Sequence, residues 1–323
     1  MAQASPTAPL RYPVSGWVEA GFFVLAIAVL SIAYVFGQRI GAHPIALVLY
    51  ATTASALALL AVAGVGQDAL RIVLAPQSWL VGIGTISIEI SYYLLLEHVS
   101  PALGSLFVRL AIPLAFVVGW LLLARRPRGL SVAGAGIVLA GILPLIATID
   151  AEHRTAAAAA GVASAMASSL RGFSAEFHPW NRRATTVLEK LRVTGLIVLV
   201  TSLVSLGLTG SLAVLIGIGW LAPTPLVPTA AQMLHGPTIL LGAVVVGAIM
   251  TAMAVLSFSA VVKITTENFM ATSAFTPVGT LLVQIAASAI GLIPTYALDP
   301  SLLPAMGVVI GGVLLILYAA RHR

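Results

Sequence analysis

Two ionisable side chains, Glu89 and Arg109, sit inside long apolar stretches, where charge is expensive. A charge at the bilayer centre costs at least about 2.5–3.5 kcal/mol on insertion scales, so each needs a partner, water or a ligand. A guanidinium can hold a carboxylate bidentately. A glutamate can hold an amine or exchange a proton. The two stretches turn back near Val99, ten residues after Glu89 and ten before Arg109. At the helical rise, both lie about 12 Å inside the same membrane face. An ion pair is therefore geometrically natural. Either the pair lines a central cavity or it locks two helices together, and residue types leave both readings open. A closed pair keeps Glu89 ionised, which makes it a proton carrier only once the pair opens.

The neighbours extend a polar face. Thr85, Tyr92 and Tyr93 lie one turn from Glu89, and Ser105 and Pro113 one turn from Arg109. Ser164, Ser168 and Arg171 share a stripe at i, i+4, i+7. Each hydroxyl alone reads as helix–helix glue; together they read as a cavity wall. Arg171 equally suits an arginine snorkelling from a helix end. With Ser273, matched to Arg109 by the repeat described below, the candidate substrate-binding set is Glu89, Arg109, Tyr92, Tyr93, Ser105, Ser168, Arg171 and Ser273.

Membrane helices must position these residues. Hydrophobic residues make up 60% of the 323 and charged residues 8%, against roughly 25% charged in soluble domains. A water-facing surface cannot be built from so few charges. Apolar runs of spanning length fall at about 17–37, 42–65, 77–97, 101–124, 130–149, 156–175, 194–220, 238–262, 267–290 and 303–320. The polar N-terminal stretch Met1–Ser15 lacks the charged start and cleavage site of a signal peptide, so the first run is expected to be retained.

Ten spans put both termini on one side. That side collects Arg11, Arg71, Arg125, Arg126, Arg128, Arg171, Arg182, Arg183, Lys190, Arg192, Lys263, Arg321 and Arg323; the other receives Arg39 and Arg154. This bias predicts cytoplasmic termini and explains the net charge of +6 without nucleic acid. Trp17, Trp79, Trp120, Trp180 and Trp220 fall near span ends, as interfacial rings do. Glu19 is expected to reach headgroups. The basic segment 175–193 reads as a linker with a helix on anionic lipid. The proline-rich loop 221–237 should be irregular and exposed.

The halves resemble each other. Residues 101–123 read PALGSLFVRLAIPLAFVVGWLLL and residues 265–287 read TTENFMATSAFTPVGTLLVQIAA. Pro113 and Pro277 occupy matched places, as do Arg109 and Ser273. Gly136 and Gly141 match Gly307 and Gly312 in the following spans. Five spans per half is odd, so the halves must insert with opposite orientation, the plan of many carriers with a midplane site. Matched proline kinks would serve as hinges for rocking.

The stretches YYLLLEHVSPALGSLFVRLAIPLAFVVGWLLL (92–123), GLSVAGAGIVLAGILPLI (129–146), FMATSAFTPVGTLLV (269–283) and MGVVIGGVLLILY (306–318) carry a resemblance to the drug/metabolite transporter superfamily, EamA type. Where members often have a Gly-Glu pair after the fourth span, this chain has Ala124–Arg125–Arg126, and the second half lacks a glutamate before its last span. The resemblance implies an all-α inner-membrane protein of ten helices. These would form two inverted five-helix repeats, 1–150 and 151–323, exporting a small metabolite with a proton as a possible coupling ion. An amino acid or similar zwitterion fits the Glu89 and Arg109 chemistry.

Other classes fit less well. The chain has no cysteine, which excludes thiolate chemistry. Phosphate-loop, dinucleotide and HExxH motifs are absent, so no cofactor is expected and pumping must draw on gradients. His43, His98, His153 and His235 map to loops without metal-ligand spacing. An intramembrane enzyme on a lipid-linked substrate would need clustered acid and base groups, and the carboxylates here are scattered. A non-transporting scaffold would make Glu89 and Arg109 structural.

Overall fold

The computed structural model describes residues 12–297 and 299–321. Arg11, Arg323, the side chain of Arg321 and the stretch before Tyr12 lie outside the described residues. The long helices are α1 (Val14–Arg39), α2 (Pro44–Ala63), α3 (Pro76–Leu96), α4 (Pro101–Leu123) and α5 (Gly129–Ala147). They continue with α6 (Ala151–Phe177), α7 (Val187–Gly217), α8 (Gly236–Ser273), α9 (Thr276–Ala289) and α10 (Leu302–Arg321). Among the described residues there is no strand. Eight of these helices are long and apolar enough to cross a membrane, which makes the chain a multi-pass, all-α membrane protein.

The two that fall outside that set depart from the sequence expectation for different reasons. Helix α6 has the length but carries alanine, glycine and serine where its neighbours carry leucine and valine. It packs by those small residues onto α3 and α4. The continuous span expected at 267–290 is broken. Thr265 takes φ 70°, ψ 160°, a conformation rare for a β-branched residue, so α8 is two helices end to end, 236–264 and 266–273. The chain breaks again at Ala274 and Phe275 before α9 begins. Helix α4 is also interrupted, by a 3-10 turn at Val108–Leu110. The helix expected within 175–193 is short. Pro179–Arg183 makes a short turn of helix, and a capping box of Thr186 with Glu189 starts α7 at Val187. Within the loop 221–237, Ala230–Met233 forms one helical turn on its own capping box.

Helix pairs rather than one central stack organise the bundle. The most extensive contacts join α3 to α6, α5 to α10, α1 to α8 and α2 to α7; further ones join α1 to α9, α4 to α6, α2 to α8, α3 to α7 and α4 to α9. Small residues let these backbones approach. A Cβ at Gly134 would lie 2.8 Å from the Gly312 carbonyl, and one at Gly312 would lie 2.8 Å from the Gly134 carbonyl. Gly141 lies against Ala305 in the same α5–α10 pair. Of the glycines matched in sequence, Gly141 and Gly312 are at close contacts, whereas Gly136 and Gly307 face open space.

Side chains in the loops fix the helix ends. Arg192 donates to the carbonyls of Ala63 and Gly64 at the end of α2, and Arg154 to Ala147 and Ile149 at the end of α5. Arg128 reaches Ala319 on α10. Arg39 holds Gly291 and Leu292 beyond α9. These carbonyls lack intrahelical donors, and a cation there also suits the helix dipole. Glu19 does not reach outward as expected; it pairs with Lys263 on α8. These contacts sort the loops into a terminal end, which holds the start of α1 and the finish of α10, and a distal end, which holds the α1–α2 and α3–α4 turns.

At the terminal end His178 caps Pro179–Arg183. Its Nδ1 accepts from the Asn181 backbone N–H at 3.2 Å, so Nε2 carries the proton and donates to Ser78 Oγ at 2.7 Å. Burial pushes this imidazole below its ordinary value of 6.5. A depressed histidine stabilises the fold fully above its unfolded value, and that contribution is lost as pH falls through the folded one. Thermal melts should therefore drop on the acid side of about pH 6.5, and His178→Ala should lower stability by about 1 kcal/mol and flatten that drop. In the bundle, Gly134→Leu should sharply reduce the yield of folded protein in size-exclusion chromatography, while Gly136→Leu should be tolerated.

Candidate functional site

Proline 277 has no N–H. The Ser273 carbonyl, four residues earlier, therefore loses its helical donor. Two side chains supply the missing donation: Arg109 Nη2 from α4, and Thr276 Oγ1 at 2.6 Å. Pro113 does the same to the carbonyl of Arg109 itself, and there the helix tightens into the 3-10 turn at Val108–Leu110. The two breaks thus meet, with the guanidinium of one seated on the carbonyl of the other. Both prolines are buried, and Arg109 is half-buried.

Glu89 is not the partner of Arg109. It is 8% exposed and accepts from Tyr34 Oη of α1 at 2.7 Å. The cation whose charge acts on it is Arg171. The backbone and Cβ of Arg171 press against Gly84 of α3, where a Cβ would come 3.0 Å from that of Arg171, and Arg171 is exposed. Tyr92 lies in the field of both Glu89 and Arg109, and its hydroxyl shares a hydrogen bond with Ser31 Oγ at 2.7 Å. Tyr34 packs edge-on to Tyr92 and Tyr93, with centroids 6.2 and 5.5 Å apart.

The remaining candidates divide. Tyr93 is fully buried and structural: its hydroxyl donates to the Ala42 carbonyl at 2.7 Å, and its own carbonyl accepts from Gln38. Ser105 bonds the Ala102 carbonyl within its own helix, at 2.7 Å. Ser273 contributes its carbonyl, since its hydroxyl bonds Met270 at 2.9 Å. Ser168 is half-buried on α6, and Ser164, one turn away, is buried with its hydroxyl unpartnered. Tyr34, Ser31 and Thr276 are site residues that the sequence did not single out. A tyrosine within an apolar run was the available signal for Tyr34.

Accessibility differs between the ends. On the distal side of the cluster the helices close tightly: 30–35 of α1, Tyr92, Tyr93, Leu95 and Leu96 of α3, and Ala102 and 104–107 of α4 are buried. Gln284 of α9 accepts from the Ala102 N–H at 2.9 Å, and Arg39 ties α1 to the loop after α9. Beyond this closure lies a distal cavity of about 430 Å³, lined among others by Val35, Gln38, Glu97, His98 and Tyr296. His98 stacks on His153 there, with centroids 5.3 Å apart. Towards the terminal end the packing loosens. In α4, residues 108–112 and 114–116 are partly exposed, with Pro113 buried between them. No group of three metal-ligating side chains occurs among the described residues.

No family model matches the chain, and no curated protein does. Among solved structures, one crystal structure titled only as that of a protein is similar at a TM-score of 0.55 and 22% identity. The likeness covers 96% of this chain and 99% of the other. It therefore extends to the whole fold, and at that identity to the fold alone.

Tyr34→Phe leaves a Glu89 oxygen without its buried donor. It should cost about 1–3 kcal/mol in detergent-solubilised unfolding. Ser273→Ala keeps the carbonyl that Arg109 uses and should change stability by less than about 1 kcal/mol.

Proposed function

We propose that the protein is a secondary transporter of small metabolites that works by alternating access between two inverted five-helix repeats, 1–150 and 151–323. The observation that carries this reading is the Arg109 contact with Ser273. Residues at matched positions of the two halves meet where matched prolines break their helices. Binding sites in inverted-repeat carriers form at such broken helices.

The helix pairing supports the same plan, with 266–273 and α9 counted as one broken ninth span. Replacing each helix by its counterpart five places along turns the α3–α6 pair into α8–α1, α4–α6 into α9–α1, and α3–α7 into α8–α2. The α2–α7, α4–α9 and α5–α10 pairs map onto themselves, and all of these contacts occur. The Gly134–Gly312 and Gly141–Ala305 approaches exchange likewise. The drug/metabolite transporter resemblance, EamA type, fits this arrangement.

The arginine-rich terminal end is assigned to the cytoplasm of an inner membrane. The tight distal closure then corresponds to an inward-accessible state, the state in which an exporter loads its substrate. Arg109 contacts the substrate, Tyr92 and Ser168 line its path, and Pro113 and Pro277 are the points about which the halves rock. Glu89, held by Tyr34 and within the field of Arg171, is the candidate carrier of a coupling proton.

The test is flux in proteoliposomes. Arg109→Ala is expected to abolish transport while the protein still inserts and elutes as a folded species. Glu89→Gln is expected to shift or remove the pH dependence. Normal flux with unchanged affinity and pH profile in both variants would overturn the cavity reading.

A further inference from the structure

The charges around the site do not balance. Glu89 is engaged: it accepts from Tyr34 and lies in the field of Arg171. Arg109 has no carboxylate acting on it among the described residues; the titratable group that bears on it is the Tyr92 hydroxyl. Among the described residues its single hydrogen bond goes to a neutral acceptor, the Ser273 carbonyl, and its buried Nε has no partner. A desolvated guanidinium satisfied at one of its five N–H donors is costly unless something else completes it. Ser164 on the facing α6 adds a second buried, unpartnered polar atom. The α6 helix touches α4 at the 3-10 turn that carries Arg109.

We propose that the substrate is a small oxyanion-bearing molecule, a carboxylate in the first instance, that completes Arg109 and enters without a cationic group. This rests on the transport reading and deepens it. A zwitterion would bring an amine to a site whose one carboxylate is already taken. An anion supplies the missing charge and accepts from the idle donors in the planar geometry a guanidinium matches. Neutralising Arg109 also weakens its hold on the Ser273 carbonyl, so loading loosens the link between the two broken helices.

The probe is a small anion that fits whatever the rest of the substrate looks like. Melting temperatures of the purified protein are measured in sodium acetate, sodium phosphate and sodium chloride at matched ionic strength, over a concentration series. A ligand of the folded state raises the melting temperature with concentration. Acetate is expected to stabilise beyond chloride in the unaltered protein and in Arg39→Gln, weakly in Arg109→Lys, and not in Arg109→Gln. Stabilisation by phosphate but not acetate would keep the anion and replace the carboxylate with a phosphoryl group. No shift beyond chloride, or an equal shift in Arg109→Gln, would overturn the proposal; Arg109→Lys, which keeps the charge, guards against loss of fold. Flux separates the two readings. Transport of amino acids or amines without any anion response sinks the substrate class and leaves the transporter standing. An anion response without flux of carboxylates, phosphomonoesters, amino acids or amines sinks transport and leaves the anion site.

Discussion

A carbonyl stripped of its helical donor is the constraint around which the centre of this molecule is arranged. Pro277 creates it at Ser273, and burial forbids water from repairing it freely. Arg109 repairs it from the other half of the chain, 164 residues away in sequence. The repair uses backbone, so it depends on where two helices break and is indifferent to the side chain at 273. The same proline chemistry recurs at Pro113, where the helix answers by tightening. Each break exposes the polar groups that make a site out of otherwise apolar helices.

Around this centre the packing is close in some places and loose in others. The α5–α10 pair brings backbone against backbone at Gly134 and Gly312. The distal closure relies on buried side chains, on hydrogen bonds donated by Tyr93 and Arg39, and on one that Gln284 accepts from the Ala102 N–H. Toward the terminal end α4 beyond the 3-10 turn keeps few buried residues. The polar cluster lies at the boundary between the closely packed distal end and the looser terminal end.

Much of this was legible in the sequence. Long apolar runs give most of the helices because a bilayer demands them, and the matched prolines and Ser273 pointed to the residues that meet. The predicted Glu89–Arg109 pair failed for a geometric reason. Counting residues from a turn gives depth, but a helix rotates about 100° per residue, and the direction a side chain faces is set by packing. Equal depth therefore brought neither residue to the other; Tyr34 of α1 reached Glu89 first. The break at Thr265 was equally hidden, since Thr is a poor candidate for a left-handed backbone and nothing local announces it. Likewise the stacking of His98 on His153 joins the α3–α4 turn to the first turn of α6, which no spacing rule connects.

The arginines at the helix ends answer to two readers. During insertion the machinery registers charge, and for that purpose lysine and arginine are equivalent. In the finished fold Arg192 and Arg154 each grasp two carbonyls with a forked head that a lysine cannot imitate. Orientation and anchorage are thus spelled with the same letters but in different alphabets. A lineage drifting from arginine to lysine at these sites would keep its topology and lose its grip, threading correctly into the membrane and then fraying at the ends.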